Sequence, residues 1–452
     1  MYNKKEGMIR MMKNEKKFKF MYLTIMFIIM LFWAVKQPYD YAPDEYMRYK
    51  VPEYIYNHGK LPLPDDKELV VKEFNASYAY YPTLLPAITS SIFMKLTSLV
   101  TKNETALFVA ARFTSVLSGV IFIYFMMKIL DELIKDKKVK YLGIFLSSLI
   151  PQFVFLSSYV NNDSCAIMAS SIIVYSWIRG LNDGWNFKNS ITLSIGIIIC
   201  ALSYYNAYGW ILLSIIIFII SFIKKSDKKI TVDYKSLLKY GTFISVVVLV
   251  FVSYFFVRSY FINNGDLLGI DSFLDACEEG GADYLKPSLR NTPQNLKMSY
   301  LEMLTTTRYG NSIWPITTYI SFIGNFGYMK YKLPILIYLG YTIIIGIGLI
   351  GYFKRIRDII KDKKSLFFNL ALISCIIIPI ILSIKYSYST DYQPQGRYIY
   401  PMFTGFIIII TLGFEKLNNL IKLKHKNKLI NIIALFIIIS FIIASKVFIN
   451  SI

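Results

Sequence analysis

Four charged residues stand close together in the run Tyr39-Asp40-Tyr41-Ala42-Pro43-Asp44-Glu45-Tyr46-Met47-Arg48-Tyr49. A carboxylate here could take a proton from a hydroxyl or hold a metal ion. Asp44 and Arg48 are four residues apart, so a helix would put both on one face, where the guanidinium keeps the carboxylate ionised. The same residue types also make an ordinary helix start, with Pro in the first turn and acids at the positive end of the dipole. A second run, Asp391-Tyr392-Gln393-Pro394-Gln395-Gly396-Arg397-Tyr398-Ile399-Tyr400-Pro401, carries an arginine whose planar fork suits phosphate oxygens. Its plain alternative is an ion pair with Asp391. Lys330 and Lys332, in the run Ser321 to Pro334, offer either phosphate contact or snorkelling anchors. Tyr78-Ala79-Tyr80-Tyr81-Pro82 is a stacking surface for a sugar ring or an aromatic belt at a membrane interface. Ser157 to Ser164, with Asn161, Asn162 and Asp163, has the composition of a tight polar turn. A single Asp-Glu pair supplies too few ligands to argue a metal, so Asp44 and Glu45 remain an open question as metal contacts.

The elements that must position these residues are apolar. Of the 452 residues, 55% are hydrophobic, and they lie in continuous blocks such as Phe20 to Val35 and Ile191 to Ile223. Blocks this long cross a hydrocarbon core of about 30 Å as helices, with each backbone group satisfied inside the segment. The pattern predicts an all-α polytopic membrane protein of about eleven spans, near 20–37, 104–128, 140–159, 164–181, 190–205, 206–223, 240–261, 334–352, 366–384, 399–414 and 430–448. Residues 190–223 read as two spans or a partly re-entrant pair. Residues 84–100 are apolar with interspersed polar groups and read as a helix lying in the interface.

The net charge of +21 is a topology signal. With residues 1–19 inside, the inner connections hold about 30 of the 50 Lys and Arg and about 11 of the 29 Asp and Glu. No basic patch interleaved with aromatics suggests nucleic acid. Three outer segments, about 38–103, 262–333 (between the seventh and eighth spans) and 385–398, then fall on one face, together with every residue singled out above. No small-x-small site follows the first apolar block, so it reads as a retained helix of a single transmembrane unit over 20–452. Only Cys277 of the four cysteines lies in a large outer loop, and no disulfide framework is expected. Arg112 is the main charge within a span and is expected to snorkel outward.

Pro43-Asp44-Glu45-x-x-Arg48, Asn162-Asp163-Ser164, Phe326-Gly327-Tyr328 with Leu333-Pro334, and Gln395-Gly396-Arg397-Tyr398 with Pro401 resemble, in order and spacing, the signature of bacterial membrane proteins grouped as domain-of-unknown-function family 2142. That family is grouped by architecture with the GT-C glycosyltransferases. The resemblance spans about residues 20–415 and implies an enzyme of the cytoplasmic membrane. It would move a sugar from a polyprenyl-phosphate carrier to a glycan, lipid or protein on the outer face. Asp44 would be the base and Glu45 a metal contact or supporting acid. Arg397, with Lys330 or Lys332, would hold the donor phosphate. Gln395 and Tyr398 would line the same pocket, beside Arg48, Tyr81, Asn162 and Asp163. Where many GT-C enzymes carry His-Pro-Pro, this chain has Tyr81-Pro82-Thr83. Two rival classes share the topology: a flippase of lipid-linked sugars, and a polymerase or ligase using a pyrophosphate-linked glycan.

Overall fold

The computed structural model describes residues 2–226, 229–310, 312–420 and 428–452. Seventeen α-helices follow one another among the described residues. The segment 37–103 separates α1 (Tyr2–Lys36) from α4 (Glu104–Leu133) and contains α2 (Glu45–His58) and α3 (Leu85–Ser98). Next come α5 (Lys137–Ser148), α6 (Pro151–Leu156), α7 (Asp163–Asp183), α8 (Phe187–Ala201), α9 (Gly209–Ser221) and α10 (Tyr234–Ile262). A short hairpin of β1 (Ile223–Ser226) and β2 (Lys229–Val232) joins α9 to α10. The segment between α10 and α14 (Ile335–Lys361) holds α11 (Ile270–Gly280), α12 (Tyr300–Thr305), α13 (Trp314–Ile323) and a hairpin of β3 (Asn325–Phe326) and β4 (Tyr331–Lys332). The chain ends with α14, α15 (Lys363–Ser389), α16 (Phe403–Leu420) and α17 (Lys428–Ile449).

Eight of these helices are long and apolar enough to cross a membrane. The expected span at 140–159 is instead broken into α5 and α6. Pro151 explains the break: it has no N–H to continue the ladder, and it suits the first position of a new helix. The expected spans at 190–205 and 206–223 are the shorter α8 and α9, separated by Leu202 to Tyr208 with one 3-10 turn at Tyr205–Ala207. The apolar stretch before Asn103 is α3, 14 residues long and not among the eight. The basic connection at 415–429 lies partly outside the described residues.

The bundle has an inside and a lipid-facing outside. Buried share separates them: 89% for the core windows of α7 and α16 against 6% for α10. Val246, Leu249, Val250 and Phe251 of α10 are exposed, which costs nothing where the solvent is hydrocarbon. Small residues let core helices meet backbone to backbone. A Cβ added to Gly413 of α16 would fall 1.8 Å from the Gly348 carbonyl oxygen of α14. Helices α1 and α4 run antiparallel: Arg112 of α4 meets Ala34 of α1 at one end of the bundle, and Asp131 meets Lys19 at the other. At that second end lie further ion pairs, Lys140–Asp131, Arg179–Glu132 and Arg355–Glu415. The residues considered below lie at the first end.

Candidate active site

The site is built on a buried ion pair. Arg112 of α4 and Glu45, the first residue of α2, are both fully buried. Arg112 Nε donates to Glu45 Oε1 at 2.8 Å, and one terminal nitrogen donates to Oε2 at 2.7 Å. The remaining donors reach the carbonyls of Ala34, Gln37 and Pro38 at 2.7, 2.6 and 2.9 Å. Glu45 Oε1 also accepts the Val160 N–H at 2.9 Å. A bidentate fork with its outer donors capped by carbonyls is the geometry in which a buried pair is tolerated. It ties together the end of α1, the start of α2, α4 and the turn before α7. Arg112 therefore does not snorkel outward, and both Glu45 oxygens are engaged inside a fully buried pair. The expectation of Glu45 as a metal contact or catalytic acid does not fit this arrangement.

Asp44 faces the other way. Its φ of 62° is left-handed, and its side chain does not cap α2. It accepts instead a charge-assisted bond from Arg397, a residue 353 positions away. Its side chain is 34% exposed, so the carboxylate is reachable. Burial pushes the Asp44 carboxyl upward, but the Arg397 and Arg48 guanidiniums and the Arg397 hydrogen bond outweigh that and hold it below the usual carboxylate range. Arg397 is 5% exposed. It also donates to the Pro43 carbonyl at 3.1 Å and to the Tyr398 hydroxyl at 3.2 Å. Gly396 brings it in: a Cβ there would lie 2.3 Å from the Phe322 nitrogen, so only glycine lets this turn press against α13. Asp391, the nearby acid that could have paired with Arg397, accepts instead from Gln393.

Around this pair stand Arg48, Asp163 and a group of tyrosines. The Arg48 guanidinium lies over the Tyr78 ring, 4.6 Å from its centroid. Asp163, 2% exposed, opens α7 with Oδ1 unpartnered, and the Nε atoms of Arg48 and Arg397 are likewise buried without partners. Asn162 is structural: its amide donates to the Thr83 and Ser203 carbonyls at 3.3 and 2.9 Å, clipping the segment between α1 and α4 to the α8–α9 link. Tyr81 packs on Phe273 of α11, with ring centroids 5.4 Å apart. Gln395 donates to Gln393 and lies along the wall rather than on Arg397. Lys330 and Lys332 are exposed on the β3–β4 hairpin, and neither is among the hydrogen-bond partners of Arg397. Among the described residues no group of three or more His, Cys, Asp or Glu comes together as a metal site. The sequence reading missed Arg112 as Glu45's partner and Tyr78 as the platform under Arg48. The signal for the first was a lone arginine in an apolar helix, which must find an anion or carbonyls.

A family model described as "Predicted membrane protein (DUF2142)" matches residues 49–406. No curated protein matches. Among solved structures, the fold is similar to the archaeal oligosaccharyltransferase AglB from Archaeoglobus fulgidus in complex with an inhibitory peptide and a dolichol-phosphate, at TM-score 0.56 and 14% identity over 95% of this chain and 56% of that one. It is also similar to ArnT from Cupriavidus metallidurans in the apo state, at TM-score 0.52 and 12% identity over 92% of this chain and 62% of that one. The same enzyme bound to undecaprenyl phosphate gives TM-score 0.50 and 11% identity over 93% and 69%. These are GT-C membrane glycosyltransferases, and at such identities the likeness is one of fold. This chain spans little more than half the length of AglB.

Proposed function

The chain belongs to the DUF2142 membrane-protein family, and on that premise we propose that it is an integral membrane glycosyltransferase. It moves a sugar from a polyprenyl-phosphate carrier to a cell-envelope acceptor on the outer membrane face. The observation that carries this reading is the contact between Asp44 and Arg397, a carboxylate and a guanidinium that meet at one end of a GT-C-like bundle from opposite ends of the chain. Asp44 takes the proton of the acceptor hydroxyl as its oxygen bonds to the anomeric carbon. The bond from that carbon to the phosphate oxygen breaks, and the polyprenyl phosphate leaves with the electron pair. Arg397 stabilises the charge growing on the leaving group. Attack opposite the departing phosphate inverts the anomeric carbon. Resemblance to AglB and ArnT, whose structures hold dolichol-phosphate and undecaprenyl phosphate, supports the lipid carrier.

A flippase would be favoured by ionisable groups lining a path midway through the spans. Arg112, the main candidate, is instead sealed onto Glu45. The test is transfer of radiolabelled sugar from a polyprenyl-phosphate donor in membranes carrying Asp44→Asn or Arg397→Gln. Loss of a general base lowers transfer by about 10²–10⁴-fold. Unchanged transfer in both variants removes the proposal.

A further inference from the structure

The cluster holds more hydrogen-bond donors than the protein uses. A guanidinium carries five N–H groups. Those of Arg397 reach Pro43, Asp44 and Tyr398, with the Tyr159 hydroxyl alongside, while its Nε has no partner. The Arg48 side chain makes no hydrogen bond or ion pair with any described residue, although its Nε is buried. It is one helical turn from Asp44, and its own backbone N–H bonds to the Asp44 carbonyl at 3.1 Å. Its electrostatic neighbours are Tyr78, Asp163, Asp44 and Arg397, so the two guanidiniums face one space despite their mutual repulsion. Buried donors without acceptors are rare in native proteins, and a bound ligand is a common reason for them. Here the missing partner must be an anion rich in acceptors, because donors are in excess and two like charges need bridging.

We propose that Arg48 is the second half of a phosphate clamp, in which oxygens of the donor's phosphate bridge Arg48 and Arg397 and draw Arg397 off Asp44. The proposal rests on the glycosyltransferase reading and deepens it by assigning Arg48 and by fixing the class of donor. The two guanidiniums and the Asp44 carboxylate carry one net positive charge, and the buried Asp163 adds no positive charge to it. A phosphodiester brings one negative charge and a pyrophosphate diester two, so the pyrophosphate overcharges the site in either protonation state of Asp163. Lys330 and Lys332 are exposed on their hairpin and do not offset the second charge. A monophosphate carrier is thus the better fit. The clamp also resolves a conflict in the empty site, where Arg397 occupies the carboxylate that must act as base. Phosphate binding removes that partner and leaves Asp44 free to receive a proton.

The experiment uses the full chain in lipid nanodiscs, with undecaprenyl phosphate and undecaprenyl diphosphate as probes and affinity read by native mass spectrometry. Wild type should prefer the monophosphate. Arg48→Gln should weaken monophosphate binding about tenfold or more, the worth of charge-assisted bonds lost. Arg48→Lys should recover part of it, since it restores the charge without the fork. Asp44→Asn should abolish transfer yet tighten monophosphate binding several-fold, because Arg397 no longer has to leave an anion. That gain is one a purely structural role would not produce, and it decides the matter even if Arg48→Gln fails to fold. Wild-type affinity in Arg48→Gln, weaker or unchanged binding in Asp44→Asn, or preference for the diphosphate each overturns the clamp. If those results come with transfer intact in wild type and lost in Arg397→Gln, the clamp alone falls. Wild type that binds neither lipid removes the parent reading as well.

Discussion

Asp44 and Glu45 are neighbours in sequence with different partners in space. The left-handed backbone at Asp44 turns its carboxylate toward Arg397, while Glu45, entering the helix, turns inward to Arg112. Their consequences on substitution should differ accordingly. Glu45→Gln leaves Arg112 buried without its counter-charge and should cost about 3–5 kcal/mol. Arg112→Lys keeps the charge but loses the bidentate fork and most of the carbonyl contacts, and should also lower stability. Thermal unfolding in detergent checks both, and Asp44→Asn, reachable by water, should unfold close to wild type. Local sequence could locate the acids but not sort them. Glu45 finds its guanidinium 67 residues away, and Arg397 passes over Asp391, six residues before it, for Asp44. Composition names the groups present, whereas the pairing is decided by helices that meet only in the folded chain.

The elements most legible in the sequence were the long uncharged blocks, because hydropathy over a window of this length reports membrane-spanning helices directly. Helices α1, α4, α7, α10 and α14 to α17 lie where those blocks do. What a window average hides is a break. Pro151 interrupts the third expected span, and the residues around Tyr204 interrupt the pair that follows α7. These irregular stretches are buried in protein, where the backbone groups freed by a break find side-chain partners. Asn162 is one such partner, serving the carbonyl of fully buried Ser203. Asn162→Ala should leave that carbonyl and the Thr83 carbonyl unsatisfied and destabilise the protein by about 1–3 kcal/mol. A fall in melting temperature, with a raised KM as the segment between α1 and α4 loosens from α8, is the expected result. A melting temperature equal to wild type would assign the amide no holding role.

At the scale of the whole molecule, the positive-inside rule and the position of the site make one joint statement about sidedness. Lys332 is exposed on the β3–β4 hairpin, at the end of the bundle where the site lies, whereas Lys188 is exposed at the start of α8, at the opposite end. The four native cysteines are all buried, so they give little background to a membrane-impermeant thiol reagent. In intact cells, Lys332→Cys should be labelled from outside and Lys188→Cys only after the cells are opened. The reverse pattern would place the site on the cytoplasmic side and remove the outer-face reaction.

The positive φ at Asp44 governs how the site can be interrogated. Among residues other than glycine, asparagine and aspartate enter that region with least strain, since their short polar side chains bond locally. Asparagine therefore deletes a charge and leaves the peptide as it was. Alanine would delete the charge and also the short polar side chain that makes this backbone region tolerable, so a loss of turnover in the alanine protein would mix chemistry with geometry.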